Sequence, residues 1–455
     1  MSKTSPHRAL LWIAAGGFFM QTLDTTIVNT ALPSIAHSLG VQPLATQSII
    51  IAYTLTMALL TPASGWLADR YGSRRVYFVS ILLFVIGSLC CAGAHSLAQL
   101  VAARVVQGAG GAMLVPIGRL VVLRAIRGEA YVAALAMISV AGQVGPILGP
   151  TMGGWFVQSF SWHLIFLINV PIGLAGMMAV RRFLPSDAVS GAPSFDFIGC
   201  GLLSLCMVAF SLAVESPVHD HRLLISGVLL ALSAAAALAY IPHARHRKNP
   251  LFRLSLFREP NFSVGLMGNL VCRVGSSAVP FLLPLLLQLH LGYSPLHSGL
   301  MLLPAAIAGT IAKSWIAPLI RRYGYDAFLI WNTVLVGVSI AGFASFSAST
   351  PLALEVSILV LFGACNSMQY AAMNGVTLKG LSSQDAGAGN SLFSMVQMLA
   401  MGLGVSMGGG LVSIFSGMGL ETAFRITFIS VGLVTLASAL VFRHLEAPQL
   451  EPQAA

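Results

Sequence analysis

Apolar residues along this chain come in long unbroken runs, with neither the alternation of a half-buried strand nor the narrow stripe of a surface helix. Fourteen such runs can be traced, the first over 9–33 and the last over 421–442. At about 20 residues or more, each can carry a helix across the ~30 Å of a bilayer's hydrocarbon core. Transmembrane β-strands alternate over roughly ten residues, so the pattern predicts an all-α polytopic membrane protein of about fourteen transmembrane helices. Spans of roughly 20 to 23 residues leave about ten residues per connection in a chain of 455. No separate soluble domain fits.

Composition agrees with the pattern: 56% of residues are hydrophobic, 8% are charged, and the mean hydropathy is +0.85, whereas a soluble domain carries about 25% charged residues. The net charge of +10 raises nucleic acid as a partner, and the placement of the basic residues answers it. Connections on the side of the N-terminus hold eighteen of the 24 Lys and Arg residues, and the opposite connections hold only Arg222. The other five, Arg104, Arg119, Arg273, Lys313 and Arg425, fall inside spans. This is the positive-inside asymmetry of a multi-pass protein with both termini in the cytoplasm, and it predicts no nucleic-acid partner. The six cysteines sit in apolar spans without metal-like spacing, which predicts packing roles.

A shift of 252 positions places Gly40 on Gly292, Pro43 on Pro295, Leu44 on Leu296 and Arg70-Tyr71-Gly72 on Arg322-Tyr323-Gly324. Six spans lie before residue 190 and six after 262, so the shift superposes two parallel six-helix halves. The predicted organisation is an N-terminal half over 1–190, two inserted spans over 191–242 and a basic linker over 243–261. A C-terminal half over 262–445 and a tail over 446–455 complete it. The linker's charge run is expected to be a solvated segment facing lipid headgroups. Two parallel repeats around a mid-plane site form the plan of a rocking transporter.

GWLADRYGSRR, residues 65–75, joins spans two and three. Gly65 permits close helix approach, Asp69 lies at a helix end, and Arg70, Arg74 and Arg75 cluster beside Gly72. This stretch resembles the signature of the major facilitator superfamily. LDTTIVNTALP (23–33), RVVQGAGGA (104–112), GQVGPILGPTMGG (142–154) and WHLIFLINVPIG (162–173) resemble its fourteen-span drug:proton antiporter branch. The resemblance implies export of drugs or other small amphipathic molecules in exchange for protons, by alternating access, across a bacterial inner membrane. It implies a small-molecule substrate, protons and membrane lipid as partners, a monomer, no cofactor and no metal. It links Arg104 to proton transfer, the 65–75 loop to cytoplasmic gating, and Gly142, Gly145, Pro146, Gly149, Pro150, Gly153 and Gly154 to a flexible, leak-proof helix contact. Close packing alone also accounts for those glycines.

Asp24 is the only acid deep within a span, where a carboxylate costs roughly 3 kcal/mol. Proton carriage is one reason for its presence and a structural hydrogen bond the other. Arg104 either works with proton transfer or is tied to backbone carbonyls. Interior cations outnumber the single interior acid, which favours neutral or anionic cargo, such as organic anions or metal chelates, over hydrophobic cations. Arg273 and Lys313 are the candidate substrate contacts; the alternative has Lys313 snorkelling and Arg273 held by carbonyls. Glu355 and Arg425, near the outer interface, are positioned to pair. In the second half Arg321 stands where Asp69 stands in the first, which argues against a symmetrical gate.

Enzyme and sensor readings find little support. No G-x-x-x-x-G-K-[ST] or H-E-x-x-H occurs, so neither ATP hydrolysis nor zinc-dependent intramembrane hydrolysis is indicated. His219-Asp220-His221 and the pair His243 and His246 read as solvated residues rather than metal ligands.

Overall fold

The computed structural model describes residues 6–126, 129–185, 194–215, 222–379, 381 and 386–445; His219-Asp220-His221 and the tail over 446–455 lie outside them. Among the described residues twelve helical stretches are both long and apolar enough to cross a membrane. Two more, α1 (Pro6–Leu39) and α5 (Glu129–Ser159), have 34 and 31 residues, long enough to cross as well. In chain order the others are α2 (Pro43–Tyr71), α3 (Ser73–Ala92), α4 (Leu97–Ala125), α6 (Leu164–Phe183), α7 (Phe197–Val214) and α8 (Leu224–His246). After the linker come α9 (Pro260–His290), α10 (Pro295–Tyr323), α11 (Tyr325–Ser345), α12 (Leu352–Lys379), α13 (Gly387–Met418) and α14 (Leu420–Phe442).

The 252-residue shift that aligns the sequence aligns the backbone as well. Gly40 and Gly292 end their helices at φ +64° and +69°, and Gly72 and Gly324 sit at +86° and +82°. Such angles suit glycine because it lacks a Cβ. Helix α2 tightens into a 3-10 turn at Thr61–Ala63 and resumes at Ser64–Tyr71; α10 does the same at Lys313–Trp315 and Ile316–Tyr323. Packing repeats too. The pairs α1–α5, α2–α4 and α3–α6 in the first half match α9–α13, α10–α12 and α11–α14 in the second. The halves meet along α5–α10 and α2–α13, a pair of contacts that the repeat converts into one another.

Helices α7 and α8 pack on each other, and α7 leans on α2 and α13. The charges of the segment after α8 are solvated as expected, with Arg245, Lys248, Arg253 and Arg258 exposed, and apolar residues anchor it: Phe252 and Leu256 are buried, and the Tyr240 hydroxyl donates to Phe252 O and accepts from Phe252 N. His243 is correspondingly half-buried, its Nε2 2.8 Å from Asp196 Oδ1. Burial alone would raise the pKa of Asp196, but hydrogen bonds from Gly199 N, His243 and Leu251 N hold it below the usual carboxylate value.

Candidate functional site

Asp24 lies on α1 with none of its surface exposed. A carboxylate so buried must find donors, and four helices supply or support them. From α4, Arg104 Nη1 donates to Asp24 Oδ2 at 2.6 Å, and Gln107 Nε2 donates to Oδ1 at 2.7 Å. From α6, Asn169 Nδ2 reaches Oδ1 at 3.1 Å. Arg104 also donates to Gln107 Oε1 at 2.6 Å and to Ile49 O on α2 at 3.3 Å, and its guanidinium lies 4.0 Å from the Tyr53 ring centre. Gln107 donates in turn to Ser88 Oγ on α3 at 2.9 Å.

The two charged candidates of the first half are therefore one unit. Arg104 is held mainly by a carboxylate and only secondarily by a carbonyl, so its charge leaves the count of uncompensated interior cations. Sequence reasoning missed Gln107, Asn169, Ser88 and Tyr53. Gln107 stands one helical turn from Arg104 inside RVVQGAGGA, and Asn169 stands inside WHLIFLINVPIG, so both carried a signal as polar residues in stretches already singled out.

The second half has a cation with no acidic partner among the described residues. Arg273 on α9 is half-buried; its Nε donates to Asn269 Oδ1 at 2.6 Å, and its guanidinium sits 3.7 Å from the Tyr370 ring centre. No backbone carbonyl of a described residue holds it, and its Nη groups make no hydrogen bond to a described residue. Lys313, at the break in α10, is half-buried and forms no ion pair with a described residue. Arg119 stacks on Phe18 at 5.8 Å. The expected Glu355–Arg425 pair does not form. Arg425 bonds its helical neighbour Glu421 at 2.6 Å, a turn away, and Glu355 accepts from Tyr293 at 3.2 Å.

The glycines of α5 form one continuous contact. A Cβ on Gly142 would strike the Phe18 ring, one on Gly145 would come within 2.6 Å of Leu23 N, and one on Gly153 within 2.5 Å of Ile27 O; Gly149 meets Thr26 and Ile27 in the same way. All four face α1. Thr26 and Thr30 of α1 donate to the α5 carbonyls of Gly145 and Pro150, at 3.1 and 3.2 Å; Pro146 and Pro150 interrupt the ladder of that helix. Gly154 points elsewhere, its absent Cβ 2.7 Å from Pro295 C on α10.

The 65–75 loop braces the first half at its basic end. Asp69 pairs with Arg124 of α4 at 2.6 Å, Arg124 donates to Ser73 at 2.9 Å, and Arg74 donates to Arg181 O of α6. Arg70 and Arg75 are exposed. Gly72 supplies the positive-φ turn between α2 and α3. Gly65 does not mediate helix approach: it is exposed, and a Cβ there would meet nothing within 4 Å.

The model of the Major Facilitator Superfamily matches residues 14–405 and 265–455. The chain is 40% identical over 462 residues to "Putative multidrug resistance protein MdtD" of Pectobacterium atrosepticum, spanning 99% of this chain and 98% of the relative. It is 44% identical over 445 residues to the protein of that name in Klebsiella pneumoniae, spanning 96% and 94%. The crystal structure of a D-xylose-proton symporter superposes with a TM-score of 0.72 at 13% identity, over 96% of this chain and 97% of that one. Two backbone-repeated six-helix halves, a buried charge unit and these likenesses together place the chain in the Major Facilitator Superfamily, as a multi-pass membrane transporter of small molecules.

Proposed function

We propose that the protein exports drugs or other small amphipathic molecules in exchange for protons, by alternating access between halves at 1–190 and 262–445. We place it in a bacterial inner membrane as a monomer with both termini cytoplasmic. Spans over 191–242, the linker over 243–261 and the tail over 446–455 lie outside the moving halves in this reading. The observation that carries it is Asp24, a fully buried carboxylate saturated by Arg104, Gln107 and Asn169. Ionised, Asp24 neutralises Arg104. Protonated, it loses its charge and leaves Arg104 uncompensated in an apolar surround, so uptake of a proton loosens α1 from α4 and release restores the pair. One proton entering down 100 mV supplies about 2.3 kcal/mol, roughly a fifty-fold gradient of a neutral cargo. In this scheme the 65–75 loop, through Asp69 and Arg74, keeps the first half rigid as the basic end opens and closes, and the α1–α5 glycine contact prevents leakage during that movement.

The test is Asp24→Asn. The amide keeps the shape and cannot carry the proton, so everted membrane vesicles holding the variant should show substrate-induced proton release reduced to background while the protein still inserts. Undiminished proton-coupled export by the variant would remove Asp24 from the mechanism.

A second reading, export of small organic anions or metal chelates, is favoured by Arg273, whose Nη groups are free to meet a carboxylate. In paired efflux assays of an organic anion and a cationic dye, Arg273→Ala should lower anion efflux at least tenfold and spare the dye. Strong dye efflux, with no anion efflux in the unaltered protein, would sink this reading and leave the plain multidrug one.

A further inference from the structure

Where α7 begins and α8 ends, on the basic side of the bundle, a cavity of about 790 Å³ opens among Ser194, His243, His246, Arg247, Lys248 and Asn249. We propose that it binds the phosphate headgroup of an anionic phospholipid. Transport chemistry uses none of these residues.

Among the described residues that line the cavity, the charge has one sign. Asp196, the acid beneath it, has 1% of its side chain exposed. Its oxygens are occupied by Gly199 N at 3.0 Å, His243 at 2.8 Å, Leu251 N at 3.0 Å and Arg247 Nε at 3.2 Å. That carboxylate fixes the walls and offers nothing to an incoming anion. The donors left over face outward. Lys248, Asn249 and Ser194 are exposed and make no hydrogen bond to a described residue. His246 has its Nδ1 committed to Pro242 O at 2.8 Å, which leaves Nε2 for a ligand. Lysine ammonium, side-chain amide and hydroxyl are the donor types that hold phosphate oxygens.

The surroundings of the cavity choose a lipid over a free anion. Beside it Trp66, Phe195, Phe197 and Tyr71 form a chain of aromatic contacts 5.0 to 6.1 Å apart, the kind of belt found at the level of the headgroups. Phe197 is 68% and Ile198 62% exposed, an apolar sill on which acyl chains can lie. Helix α8 touches the rest of the molecule chiefly through α7, and Leu224, Val228 and Leu238 face outward at 76%, 59% and 65% exposure. The cavity thus opens toward the bilayer, and a basic pocket between helices at this level fits a phosphodiester carrying two or four chains.

The experiment uses the full-length protein in phosphatidylcholine nanodiscs with or without cardiolipin or phosphatidylglycerol, and native mass spectrometry counts the lipids retained on release. The variant is Lys248→Gln with Asn249→Ala, two exposed positions outside the Asp196 clamp; unchanged thermal unfolding confirms its fold. The unaltered protein should retain one anionic lipid per chain and the variant at least fivefold less, since a basic residue near a membrane surface contributes about 1 kcal/mol. Equal retention by both overturns the proposal. Millimolar inorganic phosphate should leave the lipid bound; displacement by phosphate alone would mean a site for free anions and would also overturn it.

Discussion

Asp24 and Arg104 show what residue chemistry makes legible and what only packing reveals. Each stands out in the sequence, because a charge within an apolar run needs a reason. Their union does not, since they lie 80 positions apart and the contact exists only where α1 crosses α4. Gln107 and Asn169 were harder still to single out, being uncharged and therefore tolerable within a span without any special partner. Energetically the unit behaves as a buried ion pair: removing one partner strands the other, at about 3 to 5 kcal/mol, whereas removing both costs far less. Arg104→Gln should accordingly lower the unfolding temperature in detergent sharply. Adding Asp24→Asn should recover much of that loss. If the two substitutions lower stability additively, the charges are not coupled and the network does not hold the first half together.

At the scale of elements the spans were readable from hydropathy, because lipid exposure demands runs of apolar residues whatever the neighbours. Helix breaks were less so. The 3-10 turns at Thr61–Ala63 and Lys313–Trp315 do not interrupt the apolar runs, in which Lys313 shows only as a lone charge. They surface only as the rigid likeness of the two halves. Glycines divide in the same way, since composition does not say which one touches a neighbour. GWLADRYGSRR contains two glycines of opposite status. Gly72 sits at φ +86°, ψ 138°, a region nearly closed to other residues and worth about 1 to 3 kcal/mol when forced, and Gly65 has open space where a Cβ would be. Gly72→Ala should therefore lower thermal stability and slow export, while Gly65→Ala should leave both within error. Equal sensitivity at the two positions would mean that the motif works through something other than this turn.

For the whole molecule the decisive feature is where the halves touch. Among the described residues, the end away from the basic face is sealed by backbone contact. Gly154 abuts Pro295, Gly299 abuts Pro150 at 2.8 Å from an ideal Cβ to Pro150 C, Leu296 N donates to Gln158 Oε1 at 3.2 Å, and Gln288 donates to Thr30 O at 2.9 Å. The repeat made two such halves foreseeable, since six matched residues in one register already required them. Which end was closed was not, because alternative states of a rocking molecule share one sequence and differ by only a few kcal/mol. An exporter that works by alternating access must part α5 from α10 here to release its cargo. Gln158→Cys with Leu296→Cys, in a background whose exposed Cys90 is replaced by serine, places two thiols across this seam. Bridging them with a short, cleavable bis-thiol reagent should stop export while substrate still binds from the basic end, and a reductant should restore transport. Full export by the bridged protein would show that this end need not open, and the rocking of the two halves would then have to be abandoned.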